Sequence, residues 1–160
     1  MKAAVLTVSD GVSAGERDDA SGDLLVELLG AEGYEVVERR VVPDDREAIA
    51  DAIVELAEDA ALELTTGGTG LGPRDVTPEA SAEVIDRPAP GIAEAIRVDS
   101  IAKTPHGLLS RGIAGVRDRT LVVNLPGSPG GCRDGFAVLQ PALRHALELL
   151  AGEQTAHRQT

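Results

Sequence analysis

The chain has 160 residues and a net charge of −12, with 42% hydrophobic residues but a single Tyr, a single Phe and no Trp. That length fits one domain, taken as residues 1–152 ahead of a polar tail at 153–160, with a core built from Ala, Val, Leu and Ile. The acidic surface and scarce aromatics argue against nucleic acid and anionic membranes as partners, and no apolar run is long enough to cross a bilayer.

"KAAVLTVS" at 2–9 reads as a buried strand. The segment 21–31 carries Leu24, Leu25, Leu28 and Leu29 at helical spacing, with Gly30 and Gly33 available to end it. "EVVERRVV" (35–42) has strand character. "PDDREAIADAIVELAEDA" then sets Ile49, Ile53 and Leu56 on one helical face, and "ALELTT" (61–66) is a further buried strand. Thr77-Pro78-Glu79 signals a helix start with Thr as N-cap, and 90–102 reads as a helix opened by Pro90-Gly91. "TLVVNL" (120–125) is a strand running into "PGSPGG". The closing helical pattern holds Leu139, Leu143, Leu147 and Leu150, with Pro141 expected to kink or split it. Strands alternate with helices throughout, which predicts an α/β layer fold on a mostly parallel sheet.

In such a sheet, ligands bind beyond the carboxyl ends of the strands. Four loops leave the predicted strands there: Ser9-Asp10-Gly11, Pro43-Asp44-Asp45, Gly67 to Asp75, and Pro126 to Gly131. The third, "GGTGLGPRD", has glycines at 67, 68, 70 and 72. It matches neither the Walker phosphate loop nor the dinucleotide fingerprint, so it reads either as a tight turn or as backbone amides offered to an anion. By position alone Asp44 is a helix cap, with Glu47 three residues on. Asp75 follows the glycine loop; it reads as one member of a surface pair with Arg74 or Arg87, or, with Asp44, as half of a Mg²⁺ site. Asn124 ends an apolar strand and reads equally as a turn amide or a ligand contact. Arg39, Arg40, Arg74, Arg111, Arg117, Arg119 and Arg133 flank the loops, a grouping that agrees with an anionic ligand. Cys132 is the single cysteine, which excludes a disulfide framework and suggests a cytoplasmic location. His106, His145 and His157 show no pattern. Lys2 and Lys103 are the only lysines, and an acidic chain poor in lysine suggests adaptation to high salt.

The stretches "TVSDGVSAGERDDASG", "VVPDD", "TTGGTGLGPRDVTPEA" and "LLSRGIAGVRDRTLVVNLPGSP" occur in one order. In that order the chain resembles the molybdopterin-binding family, which includes the Mog-type adenylyltransferases and the MoaB proteins, from about Val5 to Leu150. The glycine-rich "SPGGCRDG" is a small departure from the family's pattern. The resemblance implies a three-layer α/β/α sandwich and a homotrimer. It implies binding of molybdopterin and Mg-ATP-dependent transfer of AMP to the terminal phosphate of molybdopterin. Pyrophosphate is released, and the product is handed to a metal-insertion protein. It also allows a non-catalytic molybdopterin binder. Carried over by motif, Asp44 and Asp75 are catalytic and hold Mg²⁺. Ser9, Asp10, Gly67, Gly68, Thr69, Gly70, Ser110, Arg111, Asn124, Pro126, Gly127 and Ser128 are substrate contacts.

Overall fold

In a computed structural model, which describes residues 1–152, the chain folds around one six-stranded sheet in the order β2-β1-β3-β6-β5-β4. β1 (Lys2–Val8) lies parallel to β2 (Glu35–Val42) and to β3 (Leu62–Thr66), and β3 lies parallel to β6 (Thr120–Leu125). β5 (Ala114–Arg117) runs antiparallel to β6, and the two-residue β4 (Arg87–Pro88) runs antiparallel to β5. The mostly parallel sheet expected from the alternating pattern is present. Its antiparallel edge was not legible, because β4 and β5 are too short to show a period.

The alternation of side chains along each strand divides the apolar residues between two faces. Ala3, Val5, Leu62, Leu64, Leu121, Val123 and Leu125 meet helices α2 (Ala20–Ala31), α5 (Pro90–Lys103) and α6 (Pro129–Ala151). Ala4, Leu6, Val8 and Val122 meet α3 (Arg46–Ala57) and α4 (Thr77–Val84). The result is the α/β/α sandwich. Every residue of β3 and β6 is buried, as expected of central strands covered on both faces.

Three local expectations are corrected. Thr77 is the first residue of α4 rather than its cap; Val76 holds the cap position and makes no side-chain bond there. The Thr77 hydroxyl instead donates to the carbonyl of Gly67 at 2.9 Å, so the glycine turn takes the oxygen that would have capped the helix. Asp45, not Asp44, caps α3, accepting from the Ala48 amide at 2.8 Å. Pro141 does not split α6, which continues through it. Both Pro141 and Ala137, whose carbonyl loses its helical partner, are on the exposed side, where that carbonyl can bond to water, while Leu139, Leu143 and Leu147 anchor the buried side. Two short helices also escaped the sequence pattern: α1 (Asp10–Ser13) and a 3-10 turn at Pro105–Leu109. Among the described residues, no helix is long and apolar enough to cross a membrane.

Candidate functional site

All four strand-end loops meet at the carboxyl edge of the sheet. The loops after β1 and β2 are joined by a reciprocal pair. The Asp10 amide donates to Asp44 Oδ2 at 2.9 Å, and the Asp44 amide donates to Asp10 Oδ1 at 3.0 Å. Arg74, from the glycine loop, closes on both, donating to Asp10 Oδ2 at 2.5 Å and to the Asp44 carbonyl at 3.0 Å. Asp44 is free for this because Asp45 takes the capping role. Arg74, assisted by the Asp44 amide, holds the Asp10 carboxyl below its usual range. Burial pushes the Asp44 carboxyl up, and the neighbouring Asp10 and Asp75 charges add to this.

The glycine loop owes its composition to close packing. Gly67 and Gly68 sit in the left-handed region, at φ +98° and +68°. A Cβ on Gly67 would lie 2.2 Å from the Val8 carbonyl oxygen. One on Gly68 would lie 2.3 Å from Thr77 Oγ1 and 3.2 Å from Asp44 Oδ1. Further on, the Gly72 amide donates to Asp75 Oδ2 at 2.9 Å and the Asp75 amide donates back to the Gly72 carbonyl at 3.0 Å. The tight-turn reading therefore accounts for these glycines. The ligand reading stands beside it, because the amides of Gly68, Thr69 and Gly70 donate to no acceptor among the described residues.

Two clefts open on either side of this loop. The first, about 390 Å³, is lined by Ser9, Arg17, Asp18, Asp19, Asp44 and Gly67, among others. The second, about 550 Å³, is lined by Thr69, Gly70, Lys103, His106, Ser110, Pro126 and Ser128, among others. Gly68, Asp75 and Gly127 line both. Of the catalytic and substrate-contact residues carried over by motif, Asp10, Arg111 and Asn124 line neither. Asp10 is spent on Asp44 and Arg74. Asn124 is buried and internally satisfied: its Oδ1 accepts from the Ile113 amide, and its Nδ2 donates to Thr65 Oγ1 at 2.9 Å and to Ser81 Oγ at 3.0 Å. Arg111 donates to the carbonyls of Gly70 and Asp75, at 2.8 and 2.7 Å, and pairs with Glu79. Ser128 lines the second cleft and also caps α6 through the Gly131 amide.

None of the seven grouped arginines lines either cleft. Arg39 pairs with Asp19 and Asp23, and Arg40 with Glu38 and Glu55. Arg117 donates to the Val84 carbonyl. Arg119 sits with Ala57 to Ala61 at the opposite edge of the sheet, because the antiparallel β5–β6 turn points away from the site. The strongly basic side chains that face the clefts are Arg17 in the first and Lys103, itself paired with Asp99 and Asp134, in the second, and neither was singled out as a site residue. Lys103 had a signal in being one of two lysines. Arg17 had none beyond its place in "GERDD".

Asp44 and Asp75 each spend Oδ2 on a backbone amide and keep Oδ1 free of hydrogen bonds among the described residues. Two carboxylate oxygens suit Mg²⁺, which takes one or two protein carboxylates and completes its shell with water and phosphate. No group of three or more His, Cys, Asp or Glu side chains that could form an all-protein metal cage occurs among the described residues.

The family model described as "Probable molybdopterin binding domain" matches residues 4–145. Gephyrin from Dictyostelium discoideum is 41% identical over 157 residues, covering 91% of this chain and 22% of that protein. Molybdopterin adenylyltransferase from Helicobacter pylori strain J99 is 35% identical over 152 residues, covering 92% of this chain and 86% of that protein. The crystal structure of the molybdopterin biosynthesis enzyme MoaB from Thermus thermophilus superposes with a TM-score of 0.89 at 46% identity, covering 94% of this chain and 96% of that one. The chain spans 22%, 47% and 26% of three longer curated relatives, so in them it corresponds to one portion of a larger protein.

Proposed function

The chain belongs to the molybdopterin-binding domain family, and from that premise we propose that it catalyses the adenylylation of molybdopterin in molybdenum cofactor biosynthesis. The observation that carries this reading is the sharing of Gly68, Asp75 and Gly127 by two clefts. Two substrates, one in each cleft, bring their reactive ends together at Asp75.

The first cleft, with Asp18 for ribose or adenine donors and Arg17 for phosphate, takes ATP. The second, with Thr69, Ser110, Ser128 and Lys103, takes the phosphorylated pterin. An oxygen of the terminal phosphate of molybdopterin attacks the α-phosphorus of ATP. A new P–O–P bond forms, the bond from the α-phosphorus to the β-phosphate bridge breaks, and pyrophosphate leaves with the electron pair. The nucleophile is already ionised, so no strong general base is needed, and catalysis is positioning and charge neutralisation. Asp44 and Asp75 would hold Mg²⁺, which supplies charge neutralisation on the phosphates. The amides of Gly68, Thr69 and Gly70 receive phosphate oxygens where side chains would obstruct.

The same proposal includes a homotrimer, for which exposed Val98, Ile101 and Leu108 supply apolar contact surface. It also includes a cytoplasmic setting, which the free and buried Cys132 supports, and hand-over of the product to a metal-insertion protein. The test mixes the purified protein with molybdopterin, ATP and Mg²⁺ at low and high salt, and follows adenylylated product and pyrophosphate by chromatography and mass. Product in either salt supports the enzyme. Bound pterin without product in both salts replaces it with a non-catalytic binder.

A further inference from the structure

Arg111 is spent entirely on the protein. Its amide donates to the Thr69 carbonyl at 2.8 Å, Nε to the Gly70 carbonyl at 2.8 Å, and Nη2 to the Asp75 carbonyl at 2.7 Å, while Nη1 pairs with Glu79. One planar guanidinium thus holds both ends of the stretch from Gly70 to Asp75. That stretch contains two glycines, and its middle, Leu71 to Arg74, is exposed. Without a tether, such a segment samples many backbone states.

The base from which Arg111 reaches is itself fixed. Arg97, on α5, donates to the carbonyls of Ser110 at 3.3 Å and Gly112 at 2.8 Å. Asn124, on β6, accepts from the Ile113 amide at 3.1 Å. Ser110, beside Arg111, lines the second cleft, and Asp75 lines both.

We propose that Arg111 is a positioning residue that sets the Asp75 carboxylate at a fixed place relative to Ser110, and so aligns the two clefts, without touching either substrate. This role rests on the adenylyl-transfer reading for its catalytic consequence, but not for the tether itself. The fork geometry of the side chain is what the role requires. A lysine ammonium carries the same charge as a single point and cannot span the Gly70 carbonyl, the Asp75 carbonyl and Glu79 together.

The experiment compares wild type, Arg111→Lys and Arg111→Ala in two arms. In the first, amide hydrogen exchange is measured without substrates. Both variants are expected to exchange the Gly72 and Asp75 amides at least about tenfold faster than wild type, while β3 and β6 stay protected. In the second, turnover is measured against molybdopterin and Mg²⁺ concentration. Both variants are expected to lose about 100-fold in kcat, as expected for a small misplacement of reacting groups. The KM for molybdopterin should hold, and the Mg²⁺ concentration for half activity should rise. A loss of folded protein alone would lower kcat without moving that Mg²⁺ concentration. Unchanged exchange in Arg111→Ala overturns the tether. A raised KM for molybdopterin that Arg111→Lys restores overturns the positioning role in favour of a direct phosphate contact. If wild type forms no product, the reading of the reaction fails, and the exchange arm still decides the tether.

Discussion

Glu63 offers the sharpest test of the energetics. It lies mid-strand in β3 between Ala4 and Val122, is 0% exposed, and neither carboxyl oxygen has a hydrogen-bond partner among the described residues. Arg40 on β2 and Arg117 on β5 pull its pKa down, but Arg40 is committed to Glu38 and Glu55, and Arg117 donates to the Val84 carbonyl. Burial wins and pushes the carboxyl well above its ordinary 4.5. The sign follows directly. The unfolded chain releases this proton near its ordinary value while the folded chain keeps it. The contribution of Glu63 to stability is therefore fully present below that value and is lost as pH rises toward the folded one. Within that window the loss is about 1.4 kcal/mol per pH unit. Gln has nearly the same shape and no proton to lose, so Glu63→Gln should match wild type at pH 4 and become the more stable protein as pH rises. The assay is urea unfolding of both proteins at several pH values from 4 to 7, taking the difference so that every other titrating group cancels. Parallel stability curves across that range would refute the assignment of a buried, protonated Glu63.

Asp75→Asn keeps an oxygen for the Gly72 amide, so the loop should stand and molybdopterin binding should stay nearly intact, while adenylylation falls by about 10²–10³-fold. Equal loss of binding and turnover in paired titration and rate measurements would refute that division. Gly68→Ala should cost about 2–3 kcal/mol in a denaturant melt, from the left-handed backbone and from a Cβ that displaces the Thr77 hydroxyl, and wild-type stability would contradict the packing argument. At a net charge of −12, stability should rise from low to multimolar KCl, and a flat response in thermal melts counts against adaptation to high salt.

The architecture of the central sheet was readable from the sequence because β1 and β6 are short segments rich in Ala, Val and Leu, β3 follows one helical pattern and runs into the glycine loop, and α2, α3 and α6 repeat leucine or isoleucine at helical spacing. These signals are local, so they need no knowledge of partners. The convergence of four loops at one edge was readable for the same reason, since parallel strands put all their carboxyl ends together. Side-chain employment was not. Asp44 and Asp45 are neighbours with the same chemistry, and only the fold shows that Asp44 pairs with Asp10 at the end of the adjacent strand while Asp45 caps α3. Arg111 and Arg117 are both arginines near a loop, yet one ties the glycine loop and the other serves the Val84 carbonyl. The tertiary fold decided these roles because a hydrogen bond depends on distances of about 3 Å between residues far apart in the chain, and residue type and local spacing carry no record of those distances.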